Sequence, residues 1–400
     1  MRPLKTYFAG LSKNTFLLAS ASFFADTSTE MLYPILPIFL TQTLGASASL
    51  IGIVEGVAPA IQNLAQGGSG WLSDRLRRRK TIALVGYALA AIAKPLMGLS
   101  GSWSGLLAAR SLDRLGAGTR SAPRDALIAG SAGESDRGKA FGLEGLGDNM
   151  GAFLGPLVAI ALLAVAHVSL RSIFLLAFVP AVFSVVVVAL VRETPVVTSS
   201  KGKLDLGVRR FPSRYWKYIL ATALFGLGNS SNSFLILRTK GLGASLTTTI
   251  FVYAIFNLFA ALASYPAGYL SDKLGRKGVL LLALMVFVAV YAGFGLTTNA
   301  IALGILFVLY GLHQGAFRSV GKALAADMVP PELRASAVGF YATTIGLTGL
   351  GASIVGGQLW THISPAATFL FGAAAGVLGS VALALFVLGR EPKTAKRRRI

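Results

Sequence analysis

Apolar runs of about twenty residues follow one another from residue 14 to residue 389, separated by short polar turns. A run of that length crosses the hydrocarbon core of a bilayer as an α-helix. The pattern predicts twelve spans, at about 14–40, 47–73, 81–99, 103–128, 138–165, 170–191, 216–237, 245–270, 279–297, 300–326, 334–359 and 365–389. One long polar connection, 192–215, contains Pro195, Ser199, Ser200 and Gly202 and divides six spans from six. The expected organisation is a six-helix bundle over 1–191, a linker over 192–215, a second bundle over 216–389 and a basic tail over 390–400. The first run resembles a secretory leader only superficially. It continues through Leu36 and Leu40 and contains Asp26 and Glu30, so it reads as a span.

The charged residues sharpen this picture. One set of connecting segments carries Arg2, Lys5 and Lys13, then Arg75 to Lys80, Arg137 and Lys139, the linker cations, Lys273 to Lys277, Arg334 and the tail from Arg390 to Arg399. The alternate loops carry only Arg171, Arg238 and Lys240. Cytoplasmic loops collect Lys and Arg, so both termini are expected in the cytoplasm, and the membrane is expected to be a bacterial inner membrane. A net charge of +21 distributed as clusters between spans suits anionic lipid headgroups, not nucleic acid. Hydrophobic residues make up 54% and charged residues 13% of the chain, too few charges to cover a water-facing surface. There is no cysteine, which excludes disulfides and thiolate chemistry.

A short motif occurs twice. Gly70-Trp71-Leu72-Ser73-Asp74-Arg75-Leu76-Arg77-Arg78-Arg79-Lys80 is matched by Gly268-Tyr269-Leu270-Ser271-Asp272-Lys273-Leu274-Gly275-Arg276-Lys277-Gly278, 198 positions later. The stretch from Ala126 to Leu143 likewise matches that from Ala323 to Phe340, at an offset of 197. Two motifs at nearly one offset imply a duplicated six-span unit.

With these motifs the chain resembles the major facilitator superfamily, and within it the twelve-span drug–proton antiporter branch. The resemblance implies an all-α membrane fold of two pseudo-symmetric six-helix halves with a substrate site between them near the midplane. It also implies that the paired motif is a cytoplasmic latch. Asp74, Arg75, Arg78, Asp272, Lys273 and Arg276 would form it, with Asp125 and Asp136 as acids at neighbouring helix ends. The second copy fits the family pattern; in the first, Arg77 replaces a glycine. The resemblance further assigns helix bending in span five to Gly155 and Pro156.

Candidate chemistry concentrates in the first half. Asp26 and Glu30 lie one turn apart on one face of span one, and Glu55 lies in span two. Acids at membrane depth are costly and face a cavity or a partner, and two on one face resist joint ionisation. These three are the candidate proton-coupling residues. Arg110, Asp113 and Arg114 cluster on one face of span four, either as a closed salt-bridge set or as substrate ligands with Arg114 in the cavity. Arg120 and Arg124 lie nearer the cytoplasm and read as latch residues. The second half offers Asn229, Asn232, Asn257, His313 and Gln314 as deep polar groups for substrate. His313 suits either proton relay or a hydrogen bond across helices.

No Walker loop, metal-ligand spacing or nucleophilic set occurs, so neither an enzyme nor a cofactor is expected. The expected function is proton-coupled efflux of a small amphipathic organic compound by alternating access, carried out by a monomer. The alternatives are uptake or exchange of an organic anion clamped by Arg110 and Arg114, or a receptor that transports nothing.

Overall fold

The computed structural model describes residues 11–132, 137–193, 210–330 and 333–387. Within those segments the side chains of Asp74 and Asp272 lie outside the described set, as does Asp136 altogether.

Among the described residues, twelve helical rods run alternately up and down. They are α1 (Lys13–Leu32, continued after a break by Leu36–Ile38 and a π-helical turn Phe39–Thr43), α2 (Ala48–Leu76), α3 (Arg79–Leu99) and α4 (Trp103–Ser131). There follow α5 (Arg137–Ala164), α6 (Leu170–Leu176 and Phe178–Ala189), α7 (Ser213–Gly226 and Ser233–Gly241) and α8 (Leu246–Leu274). The last four are α9 (Arg276–Leu296), α10 (Ala300–Asp327), α11 (Arg334–His362) and α12 (Pro365–Val387). Hydrogen bonds from Asn14 to Ser131 and to the Arg192 carbonyl place the start of α1 beside the ends of α4 and α6. This is the hairpin end, where α2 turns into α3; the opposite end is called the far end. At the far end Ser47, Ser102, Ser169, Ser245 and Asn299 cap α2, α4, α6, α8 and α10 with side-chain oxygens, satisfying first-turn N–H groups.

Nine of the helices among the described residues are long and apolar enough to cross a membrane by themselves. The other three rods are α1, α4 and α7. Of these, α1 and α7 are interrupted in the middle and α4 carries Arg110, Asp113 and Arg120 buried, features tolerated at membrane depth only where protein or a cavity lines them.

The packing is duplicated. In the first set of six, α1 packs on α5 and α6, α4 on α2 and α3, and α3 on α6. In the second set, α7 packs on α11 and α12, α10 on α8 and α9, and α9 on α12. The two sets meet along α2–α11 and α5–α8, which are equivalent pairs under the same duplication. The α2–α11 seam is built from glycines. A Cβ at Gly52 would overlap the Ser353 carbonyl oxygen, and one at Gly357 would press on the Ala48 carbonyl. Ser49 closes its far end: its backbone N–H donates to Thr361 Oγ1 at 3.0 Å, and its hydroxyl lies 2.9 Å from Thr361 Oγ1 and 3.3 Å from the Gly357 carbonyl. Leu246 and Ile250 of α8 pack into the first-half cluster with Ile160, Leu162 and Leu163 of α5. Towards the hairpin end, a Cβ at Gly67, Gly68, Gly145, Gly268 or Gly339 would meet nothing within 4 Å. The two sets are thus pressed together from the far end to mid-depth and part towards the hairpin end.

Gly52→Trp is expected to prevent this closure. With Ser353→Cys, a buried position at 2% exposure, as sole thiol, maleimide labelling from the far-end side should be slow in the parent and fast in the variant.

The two hairpin turns differ in shape. Arg77 ends α2 in the left-handed region at φ 54, ψ 34, whereas Gly275 ends α8 at φ 95, ψ 130. An L side chain reaches the first conformation at modest cost and the second only under strain. Gly275→Ala is therefore expected to lower stability by about 1–3 kcal/mol, and Arg77→Gly to change it by less than about 1 kcal/mol, read by thermal unfolding in detergent.

Candidate functional site

Asp113 of α4 is the hub of a buried charge cluster. Its carboxylate takes Lys94 of α3 at 2.8 Å, Arg114 at 2.8 Å and Arg110 at 3.4 Å. Lys94 and Asp113 are each 1% exposed and Arg110 is 3%. Lys94 also donates to Thr29 Oγ1 of α1, and Arg114 to Gln62 Oε1 of α2 at 3.2 Å. Arg110 reaches on to Glu55 of α2 at 3.4 Å, and its guanidinium lies 5.7 Å from the Tyr33 ring centre. The i, i+3 and i, i+4 spacing on α4 puts these side chains on one face, as expected. They form the closed salt-bridge set, so Arg110 and Arg114 are already engaged by protein acids.

The helix breaks in α1 and α7 occupy corresponding places. Pro34 and Pro37 follow the end of α1 at Leu32, and Gly228-Asn229-Ser230-Ser231-Asn232 interrupts α7. Tyr33 Oη and Ser231 Oγ meet at 3.4 Å, and they are 198 positions apart, the offset of the duplicated motif. The pseudo-dyad of the molecule therefore passes through this contact. Ser231 also donates to Glu55 Oε2 at 3.2 Å, joining the charge cluster to the second half. Paired interruptions at matching positions are where transporter folds place their ligands.

Beside this point Glu30 has partners from the other half. The Tyr253 hydroxyl donates to its Oε2 at 3.0 Å, and the Asn257 amide does so at 3.5 Å. Asn257 also donates to the Ala152 carbonyl of α5 at 3.4 Å. The Tyr33 and Tyr253 rings stack at 5.3 Å. Among the described residues no cation lies within ion-pair distance of Glu30. Gly155 lets this region close: a Cβ there would press on the Thr27 carbonyl and the Met31 amide of α1.

A second polar cluster lies one to two turns nearer the hairpin end. Arg120 pairs with Asp26 at 3.3 Å and lies over the Tyr87 ring at 4.5 Å. Arg124 binds Glu144 at 2.8 Å and Asp125 at 3.0 Å, with Asp148 at 3.8 Å. Ser22 bridges it, accepting from Arg124 and donating to Glu144.

In the second half the Tyr310 hydroxyl donates to Asn232 Oδ1 at 2.9 Å and to Asn229 Oδ1 at 3.4 Å. His313 Nδ1 meets the Ala283 carbonyl of α9 at 2.7 Å, among Phe225, Phe287, Tyr310 and Phe317. This is the hydrogen bond across helices. The Gln314 Oε1 atom is buried without a hydrogen-bond partner.

Several expectations need correction. Arg120 and Arg124 do not serve the hairpins; they hold acids of α1 and α5, because their places on α4 face those helices. Asp125 pairs with Arg124 of its own helix, and Arg276 meets an acid at a neighbouring helix end, Asp327 of α10, other than the two expected. Arg114 is held by Asp113 and forms no ion pair with Asp26 or Glu30, while its charge still acts on Glu30. Lys94 was not expected at all. A lone lysine inside the apolar run Ala90-Ala91-Ile92-Ala93-Lys94-Pro95 was the available signal, since such a charge needs a buried partner. Glu144 and Asp148 were likewise missed.

These features define a class: a helical membrane protein of two equivalent halves, with ionisable and aromatic side chains gathered where the halves meet. The Major Facilitator Superfamily model matches residues 18–236 and 218–399, and the chain belongs to that superfamily. It is 37% identical over 383 residues to an uncharacterised MFS-type transporter of Methanocaldococcus jannaschii, covering 94% of this chain and 95% of the relative. It is 27% identical over 369 residues to a probable 4-methylmuconolactone transporter of Cupriavidus pinatubonensis, covering 88% and 84%. The solved nucleoside transporter NupG superposes with a TM-score of 0.77 at 15% identity, covering 95% of this chain and all of that one, a likeness of fold alone. The protein is an integral membrane transporter whose substrate is a small molecule.

Proposed function

We propose that this transporter is a proton-coupled secondary carrier of a small amphipathic organic compound, working by alternating access, with Glu30 as the residue that carries the proton. The observation behind this reading is that Glu30 accepts hydrogen bonds from Tyr253 and Asn257 of the opposite half. An ionised carboxylate accepts both; a protonated one is a weaker acceptor. The charge state of Glu30 thereby changes how strongly the halves hold together at mid-depth. Asp26 and Glu55 are already paired with Arg120 and Arg110, which leaves Glu30 as the carboxylate without a cation of its own.

In this reading the hairpin end faces the cytoplasm of a bacterial cell, as the clustered cations favour, and the protein works as a monomer. Efflux is the first form: a proton and a polar or cationic compound compete for Glu30, and Gly155-Pro156 allows α5 to bend. The second form, uptake or exchange of an organic anion, draws support from Lys94, which gives the set around Asp113 a third cation. The name of the Cupriavidus relative, a probable 4-methylmuconolactone transporter, supports a small organic compound as substrate in either form. The two forms differ in sign. In proteoliposomes with an imposed pH gradient, adding an effluxed substrate releases protons, whereas adding a symported anion takes them up. Neither response in the wild type, for any compound that stabilises the purified protein, contradicts the proposal.

A further inference from the structure

Helix α10 carries a polar ladder, Tyr310, Gln314, Arg318 and Lys322, spaced one turn apart. Its direction follows from the two seams that flank it. Gly311 and Gly315 are pressed against the Phe256 and Ala260 carbonyls of α8, and Gly321 against Tyr341 of α11. At 3.6 residues per turn, Arg318 falls on the strip between these seams, the side turned towards the first half. Ile301, Ile305 and Leu312 occupy the opposite, exposed apolar side. The charge of Arg318 acts on Glu30 across the divide and on Tyr310 beside it, and that of Lys322 acts on Asp125 of α4. Arg318 is exposed in the space between the halves, and among the described residues it has no carboxylate within ion-pair distance. By contrast Arg110, Arg114, Arg120 and Arg124 are all held by acids.

We propose that Arg318, not the Arg110–Arg114 pair, binds the anionic group of the substrate, and that Gln314 accepts a hydrogen bond from a donor about one helical turn away on the same molecule. The substrate class is a small organic acid carrying a hydroxyl or amine some 6 Å from its carboxylate, the separation of neighbouring turns. Arginine suits a carboxylate through its planar fork of donors. The unpartnered Oε1 of Gln314 supplies the acceptor. Glu30 lies across from this site, so a proton on Glu30 and an anion at Arg318 favour one another, as linkage requires of neighbouring opposite charges. This assignment rests on the second form of the proposed function and makes the coupling symport.

Two measurements on the full chain test it. The first is binding of para-hydroxybenzoate, para-hydroxybenzamide and tyramine to the purified protein, by thermal shift and calorimetry. The carboxylate should bind and its amide and the amine should not, with affinity falling about tenfold or more in Arg318→Gln. Arg318→Lys should restore part of it, and Lys322→Gln should leave it within about threefold. The second measurement needs no ligand. Gln314→Cys provides a single thiol in a chain without cysteine. Its reaction with anionic sulfonatoethyl and cationic trimethylammonioethyl methanethiosulfonate, each normalised to a free thiol, reports the local field. The anionic-to-cationic ratio should fall about tenfold when Arg318→Gln is added. An unchanged ratio, or equal binding of acid and amide, overturns the assignment. Glu30→Gln separates it from the coupling proposal: a variant that still binds the acid but takes up no protons supports both. Proton uptake that survives Glu30→Gln refutes the coupling role and leaves the Arg318 site standing.

Discussion

Asp113→Ala should be the most destabilising single substitution in the membrane-embedded part of the protein. Removing that carboxylate leaves Lys94, Arg110 and Arg114 close together and buried, with Glu55 the one acid among the described residues still in ion-pair contact. Breaking a buried pair costs about 3–5 kcal/mol because an uncompensated charge remains, and here three cations share one acid. The expected result is loss of folded protein on extraction, or a melting point many degrees below the parent. Lys94→Met combined with Asp113→Leu removes a cation together with the acid and should recover part of the loss, since apolar replacement of a buried pair is often tolerated. If Asp113→Ala melts with the parent, the cluster is not the structural set described above.

Glu30→Gln should have the largest effect on function. The amide keeps the size of the side chain and still accepts from Tyr253 through its oxygen, so folding is preserved. It cannot take up or release a proton. Substrate exchange without a gradient should continue, whereas accumulation driven by a pH gradient should fall to the uncoupled level. Asp26→Asn should behave differently. It leaves Arg120 beside Tyr87 without its acid and is expected to lower stability and the rate of exchange together.

Much of this fold was legible in the order of apolar and polar residues. The twelve runs became twelve rods, and the 198-residue repeat of Asp74 at Asp272 marks the symmetry that places Tyr33 against Ser231. The break in α7 was less visible, because the apolar run from 216 to 237 reads as continuous unless Gly226-Leu227-Gly228-Asn229-Ser230-Ser231 is recognised as a breaker. Asp26, Glu30, Glu55, Arg110, Asp113 and Arg114 stand out as charges at membrane depth. Which of them pair does not follow from spacing alone. Arg110, Asp113 and Arg114 share a helix face, and so meet; Arg120 finds Asp26 only because α4 and α1 pack in one register. Tyr253 and Asn257 could not be joined to Glu30 from sequence, since they arrive from the other half of the chain. Arg318 lies towards the hairpin end of its span, where a cation in sequence reads as topology.

The central claim is that the charge on Glu30 sets how the two halves sit. Spin labels at Gly68→Cys on α2 and Gly339→Cys on α11, both in open space towards the hairpin end, report the separation of the halves there. Asp26, Tyr33, Tyr253, Arg110, Arg114 and Arg318 are the charged or titratable groups that act on or bond to Glu30. Acidification should weaken the contacts from Tyr253 and Asn257 and shift the distance distribution towards the short, hairpin-closed population. In Glu30→Gln the distribution should no longer respond to pH. A full pH response that persists in Glu30→Gln contradicts the account.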